Sequence, residues 1–312
     1  MLPLFHPREL ALEWATRRNR PSARPLTLEG ALAGWADAHR SGSVSESLPV
    51  PQRPLELMVV INTYARPEPC RQQLERVRAA LDARGVRESA LLVVLHDACS
   101  QDYAGARRLA TSVAGTCLWL DARERFGKQR FWQAYQAAFS LARHYRPGRA
   151  LFLHDDVEFE PDLLARADEL WEATAADPLR RVLYLFSSRD DEPNGRWIQF
   201  PRQQLPGQQY RLTNWLDLQA FLVDGAFFEL LQYRLIPIHP NRWRRNPTLS
   251  SGVGRQLTLR LRARATVYQA WPPLVRHGTE PSVANVEART LNDLDNRKDY
   301  DQALAERRHQ AR

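Results

Sequence analysis

The chain has 312 residues, of which 44% are hydrophobic and 26% charged, and its formal net charge is +8. That apolar fraction excludes global disorder, and no window approaches the ~20 consecutive apolar residues of a membrane-spanning helix. Three cysteines (Cys70, Cys99, Cys117) without CxxC spacing argue against a disulfide framework or a cysteine metal site. With no signal-peptide pattern at the N-terminus, the expectation is a cytoplasmic protein.

Residues 1–54 read as a helical extension and linker. Two amphipathic stretches, RELALEWATRR and TLEGALAGWADAH, are joined by NRPSARP, and Thr27 stands where a helix cap belongs. The Ser/Pro-rich SGSVSESLPVPQRP closes the segment as a linker. From Leu55 the pattern changes to strand–helix alternation. LELMVVINT, ALLVVLHD, TCLWLD and RALFLHDD are short apolar runs; between them lie PCRQQLERVRAALDARG, YAGARRLATSVAG and KQRFWQAYQAAFSLARHY with helical spacing. Continuous apolar strands alternating with helices predict an α/β domain with a mostly parallel sheet covered on both faces. Beyond it come the helix PDLLARADELWEATAAD, the strand RVLYLFSS, the polar loop RDDEPNGRWIQFP and the apolar WLDLQAFLVDGAFFELLQY, a strand turning into a helix. The domain spans 55–285 and a helical tail occupies 286–312.

Charge is unevenly spread. Residues 230–279 hold nine arginines and no acid, interleaved with Trp243, Tyr268 and Trp271. Such a block is the footprint of a surface that meets a polyanion, or a solvated basic face.

The most specific chemical signal is LFLHDDVEFEPDLL at 151–164. A buried strand ends in two adjacent acids, Asp155 and Asp156, where open α/β sheets place their ligands. Adjacent carboxylates repel unless a cation lies beside them, and oxygen ligands suit Mg²⁺ or Mn²⁺ bridging a diphosphate. The plainer alternative is a helix cap plus one solvated acid.

These segments together resemble the nucleotide-sugar-dependent glycosyltransferases of the GT-A fold, broadly of the family 2 type, over residues 55 to about 285. VVINTYARPE resembles the first strand and nucleotide loop, which implies nucleotide contacts from Thr63 and Arg66. VVLHDACSQDY resembles the second strand, whose aspartate reads the base edge, here Asp97. FGKQRFWQAY resembles the segment beneath the donor, implying that Lys128 and Arg130 face ribose or phosphate. LHDDVEF resembles the acidic metal motif, with Asp156 as the metal ligand and Asp155 facing the ribose; His154 departs from the acidic residue usual there. WPPLVRHGTE resembles the segment where a late histidine, here His277, stands by the metal or diphosphate; the alternative is a surface-loop histidine.

The resemblance implies transfer of a sugar from an NDP-sugar, UDP favoured, with Mn²⁺ or Mg²⁺. An inverting transfer needs a base for the acceptor hydroxyl. The fold's Glu-Asp pair is replaced by NPTLSSGVGRQ, leaving Asp217 and Asp224 as candidates (the latter alternatively the cap of the helix that follows), or a retaining mechanism without one. Through the arginines of 242–264 the chain further resembles phage-type transferases, which implies duplex DNA with a hydroxymethylated pyrimidine as acceptor. A surface glycan, a lipid-linked saccharide, or a non-catalytic sugar-nucleotide-binding module are the alternatives. A nucleotidyltransferase would need a glycine-rich phosphate loop, and NTYARPEP has no glycine.

Overall fold

The computed structural model describes residues 26–186, 203–204, 209–213, 216, 218–238, 240–245, 251–262, 264–278 and 291–310. The alternation beginning at Leu55 becomes β2 (Leu57–Thr63), α2 (Pro67–Arg84), β3 (Ala90–His96), α3 (Ala104–Ala110), β4 (Thr116–Ala122), α4 (Gly127–Tyr145) and β5 (Arg149–His154). Every residue of β2 and β3 is buried, as required of strands covered on both faces. Helix α2 stops at Gly85, which takes a left-handed conformation (φ 72°) and whose N–H closes onto the helix carbonyls.

The order β4-β3-β2-β5 is parallel throughout. The chain winds outward from β2 to β4 and then returns to the other side of β2 as β5. This reversal makes the gap beyond the carboxyl ends of β2 and β5 the topological switch point, where doubly wound sheets bind ligands. Helix α2 packs with α3 and with α5 (Leu163–Ala173), whereas α4 packs with α1 (Leu28–Leu32) and α6 (Gly225–Leu230). The expected α/β class with a parallel core flanked by helices is the one observed.

The sheet continues past β5 as a mixed structure. β10 (Ala220–Asp224) runs antiparallel to β5 and to β7 (Arg180–Tyr184). β11 (Thr266–Ala270) is parallel to β7, and β9 (Tyr210–Thr213) and β8 (Gln203–Gln204) complete the ten strands of this sheet among the described residues. The strand-to-helix turn expected in AFLVDGAFF falls at Asp224–Gly225.

The N-terminal region differs from its expectation. Thr27 Oγ1 does cap α1, accepting from Gly30 N at 3.1 Å, but the helix ends after Leu32. Trp35–Asp37 instead forms β1, an edge strand antiparallel to β4. Burial of the Trp35 ring edge-on against Phe126 (5.1 Å) outweighs the helical spacing. Gly34 belongs to the same arrangement, because a Cβ there would lie 3.2 Å from the Phe126 ring. The stretch RELALEWATRR and the loop RDDEPNGRWIQFP lie outside the described residues.

Two short strands have a disproportionate role. β6 (Val157–Glu158) pairs antiparallel with β12 (Arg276–His277), bringing residues 120 positions apart into register (Val157 with His277). The last described helix, α7 (Leu291–Gln310), docks on this ribbon: Tyr300 is buried and Asp301 pairs with Arg276, which also holds Glu158 at 2.9 Å. Among the described residues no helix is long and apolar enough to cross a membrane.

Candidate active site

The register Asn62 with His154 between β2 and β5 sets Thr63 abreast of Asp155. Asp155 and Asp156 occupy the turn between β5 and β6, so both acids stand at the switch point. Thr63 Oγ1 donates to Asp155 Oδ2 at 2.6 Å, and Tyr64 N reaches the same oxygen at 3.3 Å. The loop after β2 then folds Arg66 back over the acids. Its Nη1 lies 2.8 Å from Asp156 Oδ2 and 3.7 Å from Asp155 Oδ1, with the arginine side chain 7% exposed. Tyr103, at the start of α3, secures this loop: its hydroxyl accepts from Arg66 N at 2.7 Å and shares a hydrogen bond with Thr63 Oγ1.

His277 arrives through the β6–β12 ribbon, its Nδ1 3.8 Å from Asp156 Oδ2 and its ring edge-on to Phe186. Gly278 N donates to Asp156 O at 2.7 Å. A Cβ at position 278 would come within 3.2 Å of that oxygen, so the close approach favours glycine. His154 leans the other way, its ring edge-on to Phe131 and its Nε2 3.5 Å from the Tyr135 hydroxyl.

The two carboxyls are electrostatically unlike. Burial first, then the neighbouring Asp156 charge, pushes Asp155 well above the usual carboxylate range, against the opposing pull of Thr63 and Arg66. Burial acts on Asp156 in the same direction, but His277, His154 and Arg66 outweigh it and hold Asp156 low. The result is one firmly ionised acid beside one that readily keeps its proton.

One oxygen of that ionised acid, Asp156 Oδ1, is buried without a hydrogen-bond partner. An unpartnered carboxylate oxygen, on an acid whose other oxygen lies 3.8 Å from an imidazole nitrogen, fits a hard divalent cation. Among the described residues no three Asp, Glu, His or Cys side chains converge as a complete cage. That donor set suits a cation whose remaining positions are taken by phosphate oxygens and water, as Mg²⁺ usually prefers.

The structure thus brings Thr63, Arg66, Asp155, Asp156 and His277 together. It places the other sequence candidates differently. Asp97, one residue beyond β3, accepts from Phe126 N at 2.6 Å and Gly127 N at 2.8 Å, one N–H on each oxygen. It therefore ties the start of α4 to the sheet. Lys128, in the first turn of α4, lines a cavity of about 610 Å³ with Arg125, Trp132 and Ile238. Arg130 borders the same cavity but pairs with Glu124 and lies over the Phe126 ring at 5.2 Å.

Asp217 lies outside the described residues. Asp224 is a correction. It pairs with Arg149 at the opposite end of β5 from the acids, and five residues of strand span roughly 16 Å at about 3.3 Å per residue. Its Oδ1 accepts from Phe227 N at 2.9 Å as the cap of α6, so it is no base for this site.

The arginine block also divides. Arg260 donates to the backbone carbonyls of Arg234 and Leu231, and Arg276 holds Glu158 and Asp301. Trp243 is 4% exposed, so its ring is not available to stack on a base. Tyr268 is buried on Asp177, and Arg211 covers Trp271 at 3.8 Å. Arg244, Arg262 and Arg264 are exposed, whereas the side chains of Arg242 and Arg245 are not described. Tyr103 is the residue that sequence reasoning missed, because QDYAG carries no signal beyond a loop preceding a helix.

No protein-family model matches the chain, and no curated protein matches it. Solved structures do overlap with it. A mannosyltransferase from Pyrobaculum calidifontis, in complex with GDP-Man and Mn²⁺, is 16% identical over 71% of this chain, with a TM-score of 0.39. Staphylococcus aureus TarS 1–349 is 15% identical over 69%, with a TM-score of 0.42. The same protein in complex with UDP-GlcNAc is 13% identical over 69%, also at 0.42. The chain spans 53%, 60% and 58% of those structures' lengths. Overlaps of this size leave function to be argued from the chain's own residues.

Proposed function

We propose that the protein is a nucleotide-sugar-dependent glycosyltransferase that moves a sugar from an NDP-sugar, UDP favoured, to an acceptor hydroxyl. The observation that carries this reading is the buried Asp155–Asp156 pair at the switch point, overlaid by Arg66 and met by His277. A diphosphate is the ligand whose charge suits such a mixed set of acids and cations. Thr63 and Asp155 stand where a ribose would lie, and the raised Asp155 carboxyl can donate a hydrogen bond to a hydroxyl as well as accept one. Arg66 and His277 face the diphosphate, and Lys128 serves it from the head of α4. Asp97 acts on the base edge, directly or through the α4 start that it holds.

Asp156 and His277 would hold Mn²⁺ or Mg²⁺, which when bound offsets charge on the leaving diphosphate. Arg66 and His277 supply the remaining stabilisation of that charge. Asp217 is proposed as the base that takes the proton of the acceptor oxygen in an inverting transfer. Exposed Arg244, Arg262 and Arg264 keep duplex DNA with a hydroxymethylated pyrimidine as the first acceptor to test. A surface glycan or lipid-linked saccharide is the other outcome.

The test is a panel of NDP-sugars with Mn²⁺, read by thermal shift and by release of NDP. At least one donor is expected to stabilise the wild type and to be turned over, and Asp156→Ala should do neither. Stabilisation without release of NDP, on any acceptor or water, would make the chain a non-catalytic binding module. No stabilisation by any nucleotide would remove the reading altogether.

A further inference from the structure

At the far side of β3 from the acid pair lies a second cluster of reactive groups. His96, the last residue of β3, is paired in register with Asp121 on β4. Its Nδ1 is 2.7 Å from Asp121 Oδ1, and its Nε2 is 3.3 Å from the sulfur of Cys99. Asp121 Oδ1 also receives Trp119 Nε1 at 3.0 Å and Arg107 Nη2 at 2.9 Å. Burial works against the charge of Asp121, but the bonds from His96 and Trp119 and the Arg107 charge hold it below the usual carboxylate range. An ionised Asp121 fixes the proton of His96 on Nδ1, leaving the Nε2 lone pair towards the thiol. The imidazole itself is only 4% exposed and is clamped by the Tyr103 ring, whose centroid is 4.1 Å away.

The other two cysteines provide a contrast. Cys70 is fully buried and burial pushes its thiol far up, while burial and then Asp37 raise Cys117 to about 12. Cys99 alone is both partly exposed and set against an oriented base. A thiol, an imidazole and a carboxylate in this sequence of contacts make a base-activated nucleophile.

We propose that Cys99 is a reactive thiol and a site of S-thiolation by low-molecular-weight disulfides, with His96 as its base and Asp121 as the positioning residue. The Cys99 proton passes to His96 Nε2, and the imidazolium is held by Asp121. The thiolate attacks one sulfur of the incoming disulfide, forming a new S–S bond as the old one breaks. The second sulfur leaves as a thiolate and takes the proton back from His96. Cys99 is thereby oxidised to a mixed disulfide and half of the reagent is reduced to thiol.

The experiment treats the full chain with an aromatic disulfide that releases a coloured thiolate, and maps the labelled cysteine by mass spectrometry. One fast equivalent at Cys99 is expected, at least about tenfold faster than the same thiol in the urea-unfolded chain at equal pH. His96→Gln and Asp121→Asn should each slow it by tenfold or more while Cys70 and Cys117 stay unlabelled. A variant that merely unfolds is recognised because those two then react. Native Cys99 reacting no faster than the unfolded thiol, or His96→Gln labelling at the wild-type rate in a folded chain, would overturn the proposal. No nucleotide enters the assay, so its failure is separate from that of the glycosyltransferase reading.

Discussion

Arg66 Nη1 lies 2.8 Å from Asp156 Oδ2, with the two side chains 7% and 15% exposed. A guanidinium so placed neutralises an acid that the β5–β6 turn forces out of water. Truncating one partner of a buried pair leaves an uncompensated charge and typically costs about 3–5 kcal/mol. Arg66→Ala should therefore lower the urea midpoint severely, and Asp156→Ala less so, since Arg66 still has Asp155 at 3.7 Å. The double variant should fall short of the sum by at least about 1 kcal/mol. Strict additivity in that cycle would mean that the pair is not coupled.

Asp155 gives a pH dependence with a definite sign. Its folded carboxyl titrates above the unfolded one, so from about pH 4 towards neutrality the native state holds more protons than the unfolded chain. Stability then falls as pH rises through that window. Asp155→Asn keeps an acceptor for Thr63 and Tyr64 but has no charge to desolvate. Its melting temperature should exceed that of the wild type at pH 8 by more than at pH 5. An equal difference at both pH values would place the shift elsewhere.

Asp97 offers a test of two roles at once. Each of its oxygens accepts one backbone N–H at the head of α4. Asn retains one acceptor oxygen, so Asp97→Asn should lose one of those bonds and about 1 kcal/mol of stability. If the residue acts by holding α4, affinities for UDP and GDP fall alike in calorimetry. A loss confined to UDP assigns the carboxylate to the base edge.

The parallel core was legible because VVINT, LLVVLH and LFLH are short, apolar and separated by helical periods, which leaves few arrangements of the chain. The acid pair was legible for the same reason, since a strand end in such a sheet is a ligand edge. Strand direction was not: FLVD alternates no differently whether it runs with β5 or against it, and only pairing fixes its sense. Asp224 stayed open between base and helix cap, because an Asp before a helix has the same local pattern as an acid at a ligand edge, and only its pairing with Arg149 decides. His277 was picked out by the resemblance of WPPLVRHGTE, but its approach to Asp156 depends on a ribbon of two residues per strand, too short to leave a periodic trace. Arginine counts could not show that Arg260 points at carbonyls rather than at solvent.

That division of the arginines makes the acceptor testable. Arg244, Arg262 and Arg264 are the exposed members among the described residues, whereas Arg260 is committed to the carbonyls of Arg234 and Leu231. Where arginines contact phosphates, log affinity for duplex DNA falls with log salt by about 0.9 per phosphate engaged. Replacing Arg244, Arg262 and Arg264 with alanine should then flatten the slope by up to about 3 units. Arg260→Met should leave the slope alone and lower the melting temperature, because two partly buried carbonyls lose their donor. The measurement is DNA binding across a salt series, beside transfer assays on hydroxymethylated and plain duplexes. A slope unchanged by the triple variant, or transfer only onto neutral oligosaccharides, would make the block a solvated face and the acceptor a glycan. The donor site would be untouched by that result, since it is argued from Asp155, Asp156, Arg66 and His277 and from none of these arginines.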